Sequence, residues 1–266
     1  MCRREITDEQ WVRLAPLLPA KRGNGRPYHD HRAIVSGILW VLRTGAPWRD
    51  VPERFGKRTT VYSRFRRWTA QGIWTYVFAR LLELADHAGQ LDWSKHFVDG
   101  TVIRAHQHAA GARGGQQQEA LGRSRGGFST KIHLRAEGSG KPFAFLLSGG
   151  ERHEAAFFAP LMQLGAVRRP GRGRPRTRPD KLVGDKGYSY DSIRRDLRRR
   201  GVLAVVPRRR NQGKSTHFDR ETYRERNLVE RLVGRLKRWR RVATRYEKRG
   251  WCFEGMVALA CILEWL

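Results

Sequence analysis

The segment KHFVDGTVI, residues 95–103, marks the point where the sequence pattern changes from helical to extended. It opens a series of short runs rich in Val, Ile, Leu and Phe, separated by Gly-rich or polar turns, which is typical of β-strands. Helical patterns follow the third and fourth runs and indicate two crossover helices. Three hairpin-linked strands and then alternating helices and strands predict an α/β fold, a mixed sheet with helices on both faces. The strand runs are residues 96–99, 128–134, 142–147, 182–185 and 202–206, and the helical runs are 154–164 and 189–200.

The chain before this segment is helical in pattern. Thr7 and Gln10 form a capping-box pair ahead of a short first helix, and the apolar run at residues 34–42 predicts a central helix of a small bundle. Residues 57–74 predict a further helix that resembles the second helix of a helix-turn-helix. An ordinary solvated amphipathic helix is the alternative. The packed face of this helix would hold Val61, Phe65 and Trp68, and the opposite, DNA-binding face Thr59, Ser63 and Arg66.

The charge of the chain points to a polyanionic partner. Its 266 residues include 54 Lys and Arg against 25 Asp and Glu, a formal net charge of +29. A hydrophobic content of 39% is enough for a core and excludes a wholly disordered basic tail. Nucleic acid is the expected partner. The Arg-rich segment 168–178, with Arg172, Arg174 and Arg176, is either a flexible solvated loop or an arm that grips phosphates.

Several classes of protein are excluded by composition. The three cysteines lack CxxC spacing and are too few for a disulfide framework or a closed zinc site. His106 and His108 lack the further ligands of a transition-metal site. We find no signal-peptide pattern and no run long enough to span a membrane, so a cytoplasmic location is expected. Lys131 and His133, on a strand next to that of Asp99, would face either the site or solvent.

Two aspartates follow apolar strand runs. Asp99 ends the first run and Asp185 the fourth, each before a turn. In open α/β sheets the carboxyl ends of the strands are where ligands and catalytic groups gather. Each aspartate could instead cap its turn.

A narrow polar stripe follows on a long final helix predicted to begin near Asp219. Residues separated by 3, 4 and 7 positions fall within about 60° of one another at helical periodicity. The alternative is an exposed, salt-bridged helix, because Arg226 and Glu230 are i,i+4 partners. The stripe consists of Tyr223, Arg226, Glu230 and Lys237.

These residues match the signature YxxRxxxExxxxxxK, and the chain resembles the bacterial insertion-sequence DDE transposases of the insertion sequence four and five superfamily. Further matching stretches are LRTG with PWR (residues 42–45 and 47–49), DGT (99–101), GGFSTKIH (126–133) and DKGY (185–188). The resemblance covers the chain from about Thr7 to its end.

The resemblance implies a ribonuclease-H-like catalytic domain, residues 93–266, preceded by a small all-α, helix-turn-helix-like DNA-binding domain, residues 1–92. Asp99, Asp185 and Glu230 would be its catalytic carboxylates. They would bind two Mg²⁺ ions, for which Mn²⁺ would substitute, because hard cations prefer oxygen ligands. Arg226 and Lys237 would hold DNA phosphates, and Tyr223 would contact the DNA strand.

The implied activity is DNA transposition. The protein would bind terminal inverted repeats as a homodimer on double-stranded DNA, cleave to give 3′-hydroxyl ends, and join them to target DNA by transesterification. Neither a membrane nor a small-molecule substrate is expected, and the bacterial nucleoid is the expected location. The alternatives are a catalytically inactive DNA-binding protein and a nuclease on the same fold.

Overall fold

The computed structural model describes residues 5–20, 30–112, 115–124, 126–169, 173–213 and 218–266. The chain begins with four helices, of which the first has the predicted capping box: the Thr7 hydroxyl accepts from the Gln10 amide, and the Gln10 side chain accepts from the Thr7 amide. The second helix ends where Gly45 takes a left-handed conformation, with φ of 71°. The four helices are α1 (Asp8–Leu14), α2 (His31–Thr44), α3 (Arg58–Ala70) and α4 (Ile73–His87).

The prediction of one continuous helix over residues 57–74 is wrong at its C-terminal end. The helix α3 ends at Ala70, and Gly72 has a φ of 70°, which interrupts the helical path. Trp74 therefore belongs to α4, a helix that the sequence pattern did not predict. Glycine adopts this left-handed conformation at little cost, so it separates two helices within a two-residue link.

The middle of the chain forms the predicted mixed sheet. Its first three long strands are antiparallel neighbours, and the next two continue the sheet in parallel on the other side of the first. This arrangement confirms the mixed α/β, ribonuclease-H-like fold expected from the sequence. The strands and crossover helices are β1 (Lys95–Ala105), β2 (Gly122–Ser124), β3 (Gly127–Ala136), β4 (Pro142–Gly149), α5 (Glu154–Gln163), β5 (Lys181–Val183), α6 (Asp191–Arg199) and β6 (Leu203–Val205). The order across the sheet is β4, β3, β1, β5, β6, and β2 also pairs with β3.

The prediction of one long final helix beginning near Asp219 is wrong. The chain instead forms several elements with a short strand between them, and Glu225 and Arg226 separate the first two helices. The last of these elements is a helix that is almost entirely buried. The elements are α7 (Arg220–Arg224), α8 (Asn227–Lys237), α9 (Arg240–Ala243), β7 (Thr244–Arg245), which pairs with the end of β1, and α10 (Gly250–Leu263).

The last helix joins the two parts of the molecule. It packs against both α3 and α4, and Gly255 lets it approach α3 closely: a Cβ atom there would lie 2.6 Å from the Thr69 side chain. The buried apolar residues of the helical region and of the sheet form a single cluster. The division of the chain into domains at residues 92 and 93 stays a prediction.

Candidate active site

The sheet brings Asp99 and Asp185 level with each other. Phe97 of β1 pairs with Val183 of β5 in a parallel register, and two further residues along each strand lead to the two aspartates. The expectation that Asp99 ends its own strand is wrong, because β1 continues to Ala105 through its pairing with β3 and β7. The neighbouring strand β5 does end here, so Asp99 lies beside an open edge.

Asp185 also caps the turn that follows β5. Its Oδ1 accepts a hydrogen bond of 2.8 Å from the Gly187 amide, at the start of a short 3₁₀ helix, Lys186–Tyr188. The alternative role expected for this aspartate, capping of the turn, is therefore present in the structure. A single carboxylate has enough lone pairs to cap a turn with one oxygen and present the other to a ligand.

Lys131 and His133 lie on one face of the sheet, and Asp99 lies on the other. Lys131 bonds to Glu154 of α5 at 2.7 Å, and the His133 ring stacks on Phe157 at 4.6 Å. Both side chains are buried against α5, so they face neither the predicted site nor solvent. Side chains alternate along a strand, and Asp99 pairs with Leu134, so Asp99 lies on the other face.

The helical signature is brought to Asp99 by the break between α7 and α8. Arg226 forms an ion pair of 2.5 Å with Glu230, and its guanidinium lies 5.9 Å from the centre of the Tyr223 ring. Three residues of the predicted stripe therefore lie together. Lys237 is two turns further along α8, about 10 Å from Glu230 along the helix axis.

The charges at this edge are strongly coupled. Burial raises the pKa of Asp99 to about 6, and the negative charges of Asp185 and Glu230 add to that rise. The Gly100 amide and the Arg226 guanidinium oppose it. Two nearby carboxylates that disfavour ionisation of a third are typical of functional sites.

The three carboxylates have the donor chemistry that a divalent cation needs. Oxygen ligands suit Mg²⁺, and positive charge at this place would relieve the repulsion that adds to the effect of burial on the pKa of Asp99. Within the described ranges, however, no three His, Cys, Asp or Glu side chains are close enough to hold an ion together. Glu230 is instead paired with Arg226 at 2.5 Å.

Tyr188 lies in the turn after β5 and was not identified by the sequence analysis; its ring packs against Phe158 of α5, with 6.1 Å between the ring centres. The ring is only 1% exposed, and its hydroxyl has no hydrogen-bond partner among the described residues. Burial raises the pKa of Tyr188 well above its ordinary value, and the charges of Asp99, Glu154 and Asp185 raise it further. The DKGY stretch that follows β5 was the available signal, but nothing in its spacing indicated a buried hydroxyl.

The predicted DNA-binding residues lie on separate surfaces. Thr59, Ser63 and Arg66 are all exposed on α3, opposite its packed face. Arg174 is exposed, whereas Arg176 stacks on Trp93, with 4.5 Å from the guanidinium to the ring centre. Arg172 lies outside the described residues. Part of the Arg-rich segment is therefore packed against the protein.

The described residues include no helix long and apolar enough to cross a membrane.

Comparison with known families gives two matches. Residues 6–78 match the family described as "Putative transposase of IS4/5 family", and residues 94–265 match the family described as "Transposase DDE domain".

Individual relatives agree with these families. The "Putative transposase for insertion sequence element IS402" of Burkholderia cepacia is 31% identical over 134 residues, which cover 50% of this chain and 61% of that protein. The "Insertion element IS402 uncharacterized 16.2 kDa protein" of the same organism is 39% identical over 107 residues, 38% of this chain and 73% of that protein. A solved structure, the "Mos1 Strand Transfer Complex", matches 82% of this chain and 80% of its own at 10% identity, with a TM-score of 0.30.

Proposed function

Since the chain belongs to the transposase DDE domain family and is a DNA transposase, we propose that Asp99, Asp185 and Glu230 carry its reaction. The observation that supports this proposal is the surroundings of Asp99, whose pKa is raised by burial and further by the charges of Asp185 and Glu230. Repulsion among acids needs a functional reason, because it costs stability.

We propose that the three carboxylates hold two Mg²⁺ ions, with Mn²⁺ as a substitute. The family implies a divalent metal, and when bound it stabilises the attacking and leaving oxygens of a phosphodiester. Asp99 presents its oxygen atoms from β1, and Asp185 from the turn that follows the adjacent strand β5. Glu230 joins them from α8 once a DNA phosphate takes its place on Arg226, since guanidinium binds phosphate as well as carboxylate.

The basic and aromatic residues of the signature position the DNA. Arg226 lies between Glu230 and Tyr223, so it reaches a phosphate at the carboxylates while the tyrosine ring contacts the neighbouring nucleotide. Lys237 contacts the backbone further along α8. Contacts to duplex DNA come from Thr59, Ser63 and Arg66 on α3 and from the Arg-rich segment that includes Arg172, Arg174 and Arg176.

The reaction that we propose is cleavage at terminal inverted repeats followed by joining to target DNA. Water attacks the phosphorus, the P–O3′ bond breaks, and the 3′ oxygen leaves with a proton. That 3′-hydroxyl then attacks a target phosphodiester, so one P–O bond forms as another breaks and no nucleotide cofactor is consumed. Two ends react together, which requires a homodimer on DNA acting at the nucleoid.

The substitution Glu230→Gln tests this assignment. It keeps the shape of the side chain and removes the charge, so we expect loss of Mg²⁺-dependent cleavage with nearly unchanged binding to an inverted-repeat duplex. Glu225→Gln is the matched control, because Glu225 pairs with Lys95 at 2.7 Å, away from the site. Cleavage by the Glu230 variant at the rate of the control would overturn the assignment.

The products distinguish transposition from two simpler activities. Incubation with end DNA, target DNA and Mg²⁺ should yield joined molecules. Cut but unjoined ends would indicate a nuclease, and intact, metal-independent complexes would indicate a DNA-binding protein without catalysis.

A further inference from the structure

A basic and aromatic cluster lies next to the turn that follows β5. It is centred on Tyr190, whose side chain is half-buried. The guanidinium of Arg209 lies over the tyrosine ring, 4.1 Å from the ring centre. The Nε of Arg209 donates to the carbonyl of Lys186 at 3.1 Å, and Lys186 directly follows Asp185. The cluster therefore begins one residue away from a proposed catalytic carboxylate.

The same cluster reaches the neighbourhood of the other aspartate through α5. A hydrogen bond of 2.9 Å joins Tyr190 Oη to Nε2 of His153, the residue that caps α5. The next residue, Glu154, lies against β1, because a Cβ atom on Gly100 would be 3.3 Å from its Cγ. Gly100 in turn follows Asp99. Since α5 packs on β3 and β4, and α8 on the face of β1 that carries Asp99, the cluster approaches the carboxylates from the side opposite α8.

The hydrogen bonds around Tyr190 leave its hydroxyl free to donate. His153 Nδ1 accepts from the Ala155 amide at 3.2 Å, so Nε2 is the nitrogen that carries hydrogen. It donates to Tyr190 Oη, which is therefore an acceptor in this bond. The hydroxyl keeps its own hydrogen, for which the described residues supply no acceptor. A ligand with an acceptor oxygen would complete this arrangement.

A short basic loop, residues 207–213, is fixed beside the tyrosine by one glutamine. Gln212 Oε1 accepts from the Arg209 amide at 3.0 Å and from the Ser189 hydroxyl at 2.7 Å. Its Nε2 donates to the Ser189 carbonyl at 2.8 Å. The loop is thus bound to the residue that precedes Tyr190. A cation that is already positioned loses less conformational entropy when it binds an anion, so its contribution to affinity is larger.

The cations of this cluster have no acidic partners among the described residues. Neither Lys186 nor Arg209 forms an ion pair there, and the two terminal nitrogens of Arg209 make no hydrogen bond. The signature arginine on α8, Arg226, is by contrast paired with Glu230. A guanidinium, an ammonium and a hydroxyl donor beside one another suit a phosphate, because its charged oxygens accept from all three.

We propose that Tyr190, Arg209 and Lys186 bind a backbone phosphate of the DNA strand that is cleaved. The Tyr190 hydroxyl and the terminal nitrogens of Arg209 donate to its oxygens, and Lys186 adds a further positive charge. Arg226 holds a phosphate from the α8 side, so the strand runs between the two arginines and across the carboxylates. This inference rests on the proposed function for the DNA and for the position of the cut.

Neutral linkages in the DNA test the proposal. Inverted-repeat duplexes carry one uncharged methylphosphonate at successive positions of the cleaved strand, and binding of the full-length protein is measured without divalent metal. At one position near the cut, the neutral linkage should weaken binding by the wild type about tenfold. In Arg209→Gln that loss should disappear. In Tyr190→Phe, which keeps the ring beneath the guanidinium, the loss should be smaller than in the wild type.

Two further variants give the comparison its control and its reference point. Arg198→Gln removes the same charge from an exposed arginine of α6, seven residues and about 10 Å along the helix from the residue that follows Tyr190. This variant should keep the wild-type loss at every position. Arg226→Gln should remove a loss at a different position, on the other side of the cleaved bond.

The positions of these losses decide the outcome. If Arg209→Gln and Tyr190→Phe keep the full wild-type loss at every position, the inference is overturned. Losses assigned to Arg209 and Arg226 on the same side of the cleaved bond would overturn it as well. Cleavage of unmodified ends is measured in parallel: if the protein cleaves while the losses persist in both variants, this inference fails alone, and if it neither binds nor cleaves ends, the proposed function fails.

Discussion

A buried acid, Glu247, and a half-buried one, Asp99, have opposite surroundings in this protein. Glu247, between β7 and α10, is neutralised by Arg241 at 2.6 Å, with both side chains below 10% exposure. Asp99, on β1, lies among the charges of Asp185 and Glu230, and its pKa is raised to about 6. The first arrangement balances a buried charge, whereas the second accumulates charge of one sign.

The difference separates structural acids from functional ones. A buried carboxylate next to an arginine is stabilised by that charge. Removing one member of the pair leaves the other buried without a counter-charge, and this costs stability. A carboxylate next to other carboxylates destabilises the protein until a cation binds. On the proposed function, the charges that surround an acid therefore distinguish Asp99 from Glu247 more clearly than burial does.

The largest effect on stability is expected from breaking the balanced pair. Arg241→Met leaves the charge of Glu247 buried without its partner and should lower the free energy of unfolding by about 3–5 kcal/mol. Urea denaturation measures this change. In the double variant Arg241→Met with Glu247→Gln much of the loss should be recovered, and an equal loss in the single and double variants would contradict the interpretation.

Removing the charge of Asp99 should instead raise the free energy of unfolding. The folded pKa of Asp99, about 6, lies above its ordinary value of 3.8, so between these values the folded protein holds a proton that the unfolded chain has lost. Stability contributed by Asp99 therefore falls as pH rises from about 4 to 6, and above pH 6 its ionised form carries the full penalty. Asp99→Asn should thus stabilise the metal-free protein by about 1–2 kcal/mol at pH 7, a value reduced for partial exposure.

The same variant should be inactive in DNA cleavage. Thermal unfolding of wild type and Asp99→Asn from pH 4 to 8 tests the first effect, and the gain should vanish near pH 4. A gain that is independent of pH would show that the amide acts through packing and not through charge.

Much of the fold was predictable because it depends on local patterns. Short stretches of sequence predict the capping box at Thr7, the strands and the crossover helices, and the structure confirms them. The helix break at Gly72 and the break at Glu225 were missed, because helical periodicity continues through both places. A periodic pattern shows which face is apolar, but not where the backbone turns.

The sites were predictable to different degrees. The aspartates and the helical signature could be identified from spacing and resemblance, and Asp99 is coupled to Asp185 and Glu230 in the structure. The ion pair of Glu230 with Arg226 was predicted only by the alternative interpretation, an exposed, salt-bridged helix. The cavity lined by Trp48, His108 and Tyr246 could not be predicted, because these residues come from three distant segments that meet only through tertiary packing.

The smallest expected change in stability comes from the partner of a more exposed acid, Glu225. Lys95, at the start of β1, pairs with Glu225 at 2.7 Å, and the two side chains are 23% and 38% exposed. Water screens such a pair, so Lys95→Met should cost only about 0–1 kcal/mol in urea denaturation. If this variant lost as much stability as Arg241→Met, exposure would not govern the cost of an unpaired acid. The contrast between Glu247 and Asp99 would then have to rest on the neighbouring charges alone.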